Sequence, residues 1–241
     1  MDTKEEIGKL RKTQEQCNKC KGKGYIVVQL KDKIRFDDCE CVLRIRKRLK
    51  LLDANIPPRY HSWDLRMLTN QFKQDNPEQY EYIKSYIDNL KDNVDNGVGF
   101  WISSPPGLAK SSIISYVLRM AIRLGYKSYF TRASHVISKK FDSLGNPQVR
   151  DFLDYLVSSI DVLAIEEIEK VRILGEDSMH DHLFYEFISD IYDSNKVLLL
   201  TSNEQRDTTL SKFPNFISDR LSQLDYLSFT GKQSGRRISL S

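Results

Sequence analysis

No apolar run in this 241-residue chain approaches the roughly 18 to 20 residues needed to span a bilayer. Residues 1–12 are charged and lack the apolar stretch of a signal peptide. Eleven Gly and seven Pro are too few for a low-complexity or collagen-like chain. Beyond residue 41 there is no cysteine at all. These absences lead us to expect a soluble, cytoplasmic protein. Its 40% hydrophobic content is enough for one full-sized core and a small appendage. Basic residues are concentrated at the start. Residues 1–52 hold 15 Lys/Arg against 8 Asp/Glu, a surplus of +7, although the whole chain carries only +4. A local surplus of this kind suits an acidic partner, nucleic acid or an acidic protein face, or else forms a solvated basic surface.

All four cysteines lie in that same basic stretch, as Cys17-x2-Cys20 and Cys39-x-Cys41. Between them, Tyr25 to Leu30 and Lys33 to Phe36 read as two strands of a hairpin around Lys31-Asp32. Two thiolate pairs brought together by a hairpin match a tetrahedral S₄ zinc site. Metal would then supply the folding energy that so small a module lacks. The alternatives are reduced free thiols or a redox pair. Residues 42–53 read as a helix, with Val42, Ile45, Leu49 and Leu52 on one stripe and basic residues over the rest. Pro57-Pro58 ends this region. The expected division is a module over 1–53 and a second domain over 54–241.

The second domain begins with a polar helix predicted over Glu78 to Asn93 and then alternates strands and helices. The predicted strands are Gly99 to Ser103, Lys127 to Thr131, Val162 to Ile165, Val197 to Thr201 and Tyr226 to Phe229. Such alternation implies an α/β domain with a parallel sheet and ligands at the carboxyl ends of the strands.

At the first of those ends lies Ser104-Pro105-Pro106-Gly107-Leu108-Ala109-Lys110-Ser111, which opens a helix that runs on through Ser112. Backbone N–H groups at a helix start cradle phosphate oxygens, Lys110 would reach the β- and γ-phosphates, and the Ser111 hydroxyl would ligate Mg²⁺. The pattern asks for glycine where Ser104 and Ala109 stand. The strand Val162 to Ile165 runs into Glu166-Glu167. This pairing supplies a metal-associated acid, Glu166, and a second acid, Glu167, to orient or deprotonate an attacking water. The strand Val197 to Leu200 ends in Thr201-Ser202-Asn203, whose amide either positions that water or is an ordinary turn residue.

With these pieces in order, residues 54–237 resemble the AAA+ ATPases of the DnaC/DnaI helicase-loader group, which includes the IstB-type transposition ATPases. Ala54 to Tyr60, with Ile56, is similar to the group's lead-in segment flanking the adenine site. Ser104 to Ser112 resembles its Walker A, Leu163 to Ile168 its Walker B, and Leu200 to Asn203 its sensor 1. Ile217-Ser218-Asp219-Arg220-Leu221 resembles the segment carrying the arginine finger, which makes Arg220 a residue acting in trans on a neighbour's γ-phosphate. Ser234-Gly235-Arg236 resembles the segment that places the sensor 2 arginine, a role for which Arg236 and Arg237 compete.

The resemblance implies a five-stranded parallel sheet in the order 5-1-4-3-2 and no full C-terminal lid. It further implies ATP/ADP with Mg²⁺ as cofactors and self-association through shared ATP sites. The implied function is a weak ATPase that binds a hexameric replicative helicase and helps place it on single-stranded DNA. The zinc module, with Zn²⁺ on Cys17, Cys20, Cys39 and Cys41, is the part that docks on the helicase in loaders that carry one. A transposition helper, or an adaptor that senses nucleotide without turning it over, are the competing expectations. Ser104, Ala109 and Glu166 favour the adaptor.

Overall fold

The computed structural model describes residues 3–31, 33–171 and 179–231. It divides into two compact units, Met1–Pro58 and Arg59–Ser241. Among the described residues no helix is long and apolar enough to cross a membrane.

The first unit consists of helix α1 (Thr3–Glu15), an antiparallel hairpin of β1 (Tyr25–Leu30) and β2 (Lys33–Asp38), and helix α2 (Glu40–Asp53). The second strand runs two residues past its predicted end, because Tyr25 pairs with Asp38 in the ladder. The deepest residues of α2 are Cys41 and Leu51, whereas the predicted stripe of Val42, Ile45, Leu49 and Leu52 is only half-buried. A unit this small has little interior, and the thiols fill it. Cys20, Cys39 and Cys41 form a buried cluster against which Cys17 and Val42 pack. Ile56 is also buried in this unit, its N–H donating to the Leu51 carbonyl at 3.1 Å.

The second unit opens with α3 (Asn70–Asp75), α4 (Pro77–Asp88) and α5 (Leu90–Asp95). The single polar helix expected over 78–93 is thus two, with a break at Asn89. The Asn89 side chain donates to the Ser85 carbonyl at 2.9 Å, sharing that acceptor with its own backbone N–H at 3.0 Å. Five strands follow: β3 (Phe100–Ser103), β4 (Ser128–Arg132), β5 (Val162–Glu166), β6 (Val197–Ser202) and β7 (Asp225–Ser228). All pair in parallel in the spatial order β4-β5-β6-β3-β7. Counted within the domain this is 5-1-4-3-2, the order expected. The intervening helices are α6 (Lys110–Leu124), α7 (Ala133–Asp142), α8 (Pro147–Ser159), α9 (Met179–Asp193), α10 (Arg206–Leu210) and α11 (Asn215–Ser222).

Parallel sheets need cover on both faces, and β3, β5 and β6 are buried at every position. The stripe Ile113, Ile114, Val117, Leu118 and Ala121 of α6 is fully buried. So is that of Phe184, Phe187, Ile188 and Ile191 on α9. After β3 the chain crosses to the far edge of the sheet and works back through β5 and β6. The reversal places the carboxyl ends of β3, β5 and β6 beside one another, where α/β domains bind ligands.

One buried charge ties the start of this unit to α6. Arg119 is almost entirely enclosed, and its guanidinium donates to the Tyr60 carbonyl at 2.9 Å and to the Trp63 carbonyl. Burial draws its pKa down from the usual value. Replacement by Met keeps the aliphatic stem but leaves both carbonyls without their donor. We expect Arg119→Met to cost about 1–3 kcal/mol per stranded carbonyl, read as a lowered midpoint in urea unfolding.

Candidate nucleotide site and metal centre

The loop after β3 turns by means of two left-handed residues. Gly107 has φ +94° and Ala109 has φ +60°. A Cβ at Gly107 would meet nothing within 4 Å, so the glycine serves backbone freedom and not space. Ala109 holds the position where glycine is usual, at a cost of about 1 kcal/mol. α6 begins at Lys110, and the Ile113 N–H closes its first turn on the Ala109 carbonyl at 3.0 Å, which leaves a helix start at the loop's end. Leu108, Ala109 and Ser112 are buried; Pro105, Pro106 and Gly107 are exposed.

Lys110 is the hub. Its Nζ lies 2.5 Å from the Ser104 carbonyl, 3.2 Å from the Ser104 hydroxyl, 3.2 Å from the Pro105 carbonyl and 2.9 Å from Asn203 Oδ1. Burial lowers its pKa, opposed by the negative charges of Glu169, Glu166 and Glu167, in that order. Asn203, at the end of β6, turns its other amide atom to an acid, with Nδ2 donating to Glu169 Oε1 at 2.6 Å. The structure therefore brings Lys110 and Asn203 into contact, and adds Glu169, which the sequence did not single out.

The two acids named from the sequence separate. Glu166 is buried, and burial holds its carboxyl above the ordinary range, opposed first by a hydrogen bond from Ser111. Its Oε1 has no hydrogen-bond partner among the described residues. A buried carboxylate oxygen without a partner, next to a serine hydroxyl, is a donor set that fits Mg²⁺. Glu167 sits at φ +58°. Its backbone N–H donates to Thr201 Oγ1 at 3.2 Å, while its carboxylate pairs with Lys170 at 2.9 Å.

Arg220 lies elsewhere. It donates to Ser189 Oγ at 2.7 Å, pairs with Asp193 at 3.4 Å and stacks over Tyr192. There it borders a cavity of about 550 Å³ with Gly99, Lys196 and Asp225, at the amino ends of β3, β6 and β7, opposite the phosphate loop. Arg236 and Arg237 fall outside the described residues.

In the first unit the four thiols converge, all Sγ atoms within 4.8 Å of one another. Cys17 and Cys39 are 3.8 Å apart, and Cys20 and Cys41 are 3.5 Å apart. A Zn–S bond of about 2.3 Å gives a tetrahedral edge of roughly 3.8 Å, close to the separations within these two pairs, so the donor set fits zinc. Backbone N–H groups of Cys20 and Lys19 pull the Cys17 thiol down to about 6. Burial, and then the neighbouring thiols, push Cys41 up to about 12. Four adjacent thiolates need a cation between them to coexist, which is what a bound divalent metal provides.

The sequence matches no protein-family model and no curated protein. Solved structures do align with the fold. A replication initiator DnaA bound to AMPPCP and single-stranded DNA superimposes with a TM-score of 0.58 at 15% identity, over 75% of this chain and 52% of that one. The DnaC helicase loader aligns with a TM-score of 0.54 at 16% identity, over 67% of this chain and all of that one. DnaI aligns with a TM-score of 0.56 at 13% identity, over 72% and 94%. The chain spans about half the length of the DnaA chain it matches. At such identities the likeness is one of architecture. Together with the strand order, it gives the second unit the AAA+ fold.

Proposed function

We propose that this chain is an ATP-dependent replication-initiation protein of the helicase-loader kind, with a zinc-bound docking module. The observation that carries the proposal is the position of Lys110. Its ammonium sits at the helix-start phosphate loop, within hydrogen-bonding reach of the sensor amide of Asn203, beside the pair Ser111 and Glu166. That is the residue set a nucleoside triphosphate with Mg²⁺ requires. Loop amides and Lys110 would hold the phosphates, and Ser111 and Glu166 would hold Mg²⁺, which draws charge off the phosphoryl oxygens when bound. The similar DnaA structure holds AMPPCP and single-stranded DNA.

The first unit supports the partner. On one face of the hairpin Tyr25, Val27, Ile34 and Phe36 stand together, with Ile34 and Phe36 each 65% exposed and Tyr25 edge-on to Phe36 at 5.4 Å. An apolar face in a unit with surplus positive charge suits a protein partner whose apolar contact is rimmed by carboxylates. We assign that face to the hexameric helicase. A second reading, an adaptor that binds nucleotide with little turnover, draws on the Glu167–Lys170 ion pair, which occupies the acid that the sequence nominates for water activation.

Three measurements test these assignments. Lys110→Ala should weaken binding of a fluorescent ATP analogue by about 2–3 kcal/mol, roughly 30- to 150-fold in Kd; unchanged anisotropy titrations would refute the loop. Elemental analysis should find one zinc per chain, and Cys39→Ser should lose it. The circular dichroism of the first unit should then be lost too, because structural zinc contributes on the order of 10 kcal/mol to folding. Phe36→Glu should abolish co-purification with a hexameric replicative helicase while leaving ATP binding intact. Retained co-purification moves the interface elsewhere.

A further inference from the structure

The chain Lys110–Asn203–Glu169 has a fixed polarity. An ammonium only donates and a carboxylate only accepts. The Asn203 amide must therefore present Oδ1 to Lys110 and Nδ2 to Glu169, as the distances of 2.9 and 2.6 Å record. The other carboxylate oxygen of Glu169, Oε2, is buried and has no partner among the described residues. A turn of 3₁₀ helix at Ile168–Lys170 carries Glu169 back to the crevice, pinned by the fully buried Ile168. Glu167, by contrast, spends its carboxylate on Lys170.

Lys110 already faces four acceptors with three N–H groups, so phosphate oxygens can be met only by releasing some of them. Release of Asn203 leaves its Oδ1 able to accept from a water, beside a carboxylate with a spare oxygen. We propose that Glu169, and not Glu167, is the catalytic carboxylate of this site. The inference rests on the nucleotide reading above.

In the step it serves, the water oxygen bonds to the γ-phosphorus as the bond to the β,γ-bridging oxygen breaks. The electron pair of that bond leaves with ADP. The proton of the attacking water passes to Glu169 and from there to solvent, which restores the carboxylate.

The test is steady-state hydrolysis by the full chain, with ATP-analogue affinity measured beside it. Glu169→Gln still accepts the Asn203 amide, so the local structure is kept and only the basic oxygen is lost. We expect kcat to fall about 100-fold or more, the scale of a lost general base, with analogue affinity within about threefold of the parent. The fall should exceed that of Glu167→Gln. A Glu169→Ala chain should regain turnover with added formate, which no structural role explains. A fall in Glu169→Gln below about tenfold, or a larger fall in Glu167→Gln, overturns the assignment. So does a parent chain that binds ATP and never hydrolyses it, although nucleotide binding then stands. A parent chain that fails to bind ATP overturns the nucleotide reading itself.

Discussion

The buried ammonium of Lys110 organises the second unit. It is a positive charge placed where three strand ends meet, and it is held by carbonyls of its own loop and by the amide at the end of β6. A lysine enclosed to this degree loses hydration, which lowers its pKa, and the acids at and after the end of β5 oppose that shift. The sheet order brings those groups together, and the burial of β3, β5 and β6 keeps them in register. Ala109, strained at positive φ, is tolerated because the loop around it is fixed from both sides by β3 and α6.

Much of this was legible in the sequence. Continuous apolar runs such as Val162 to Ile165 and Val197 to Leu200 mark buried parallel strands, and the stripes of α6 and α9 have helical period. Lys110, Ser111, Glu166 and Asn203 could be named because each follows a strand at a recognisable distance. Glu169 could not. It lies beyond the paired acids, and only the 3₁₀ turn after a left-handed Glu167 carries it back to the crevice. Linear spacing does not encode that turn. The break at Asn89 was hidden for a similar reason, since no proline or glycine marks it. The cysteine cluster was the easiest to read, because thiols at such spacing have few other uses.

The two units are built on different principles. The second has a large apolar interior that needs no ligand to explain it. The first has a core of sulfur and exposes most of its bulky hairpin residues. Its interior is a donor set that fits a metal, whereas the other's is held by hydrophobic burial.

Arg119 has a mechanical meaning as well as a stabilising one. It lies on the same helix as Lys110, nine residues along, or about 13 Å of stiff α-helix. Its guanidinium grips the backbone of Tyr60 and Trp63, immediately after the boundary at Pro58. A tilt of α6 at its Lys110 end would therefore be carried as by a lever to the first residues of this unit.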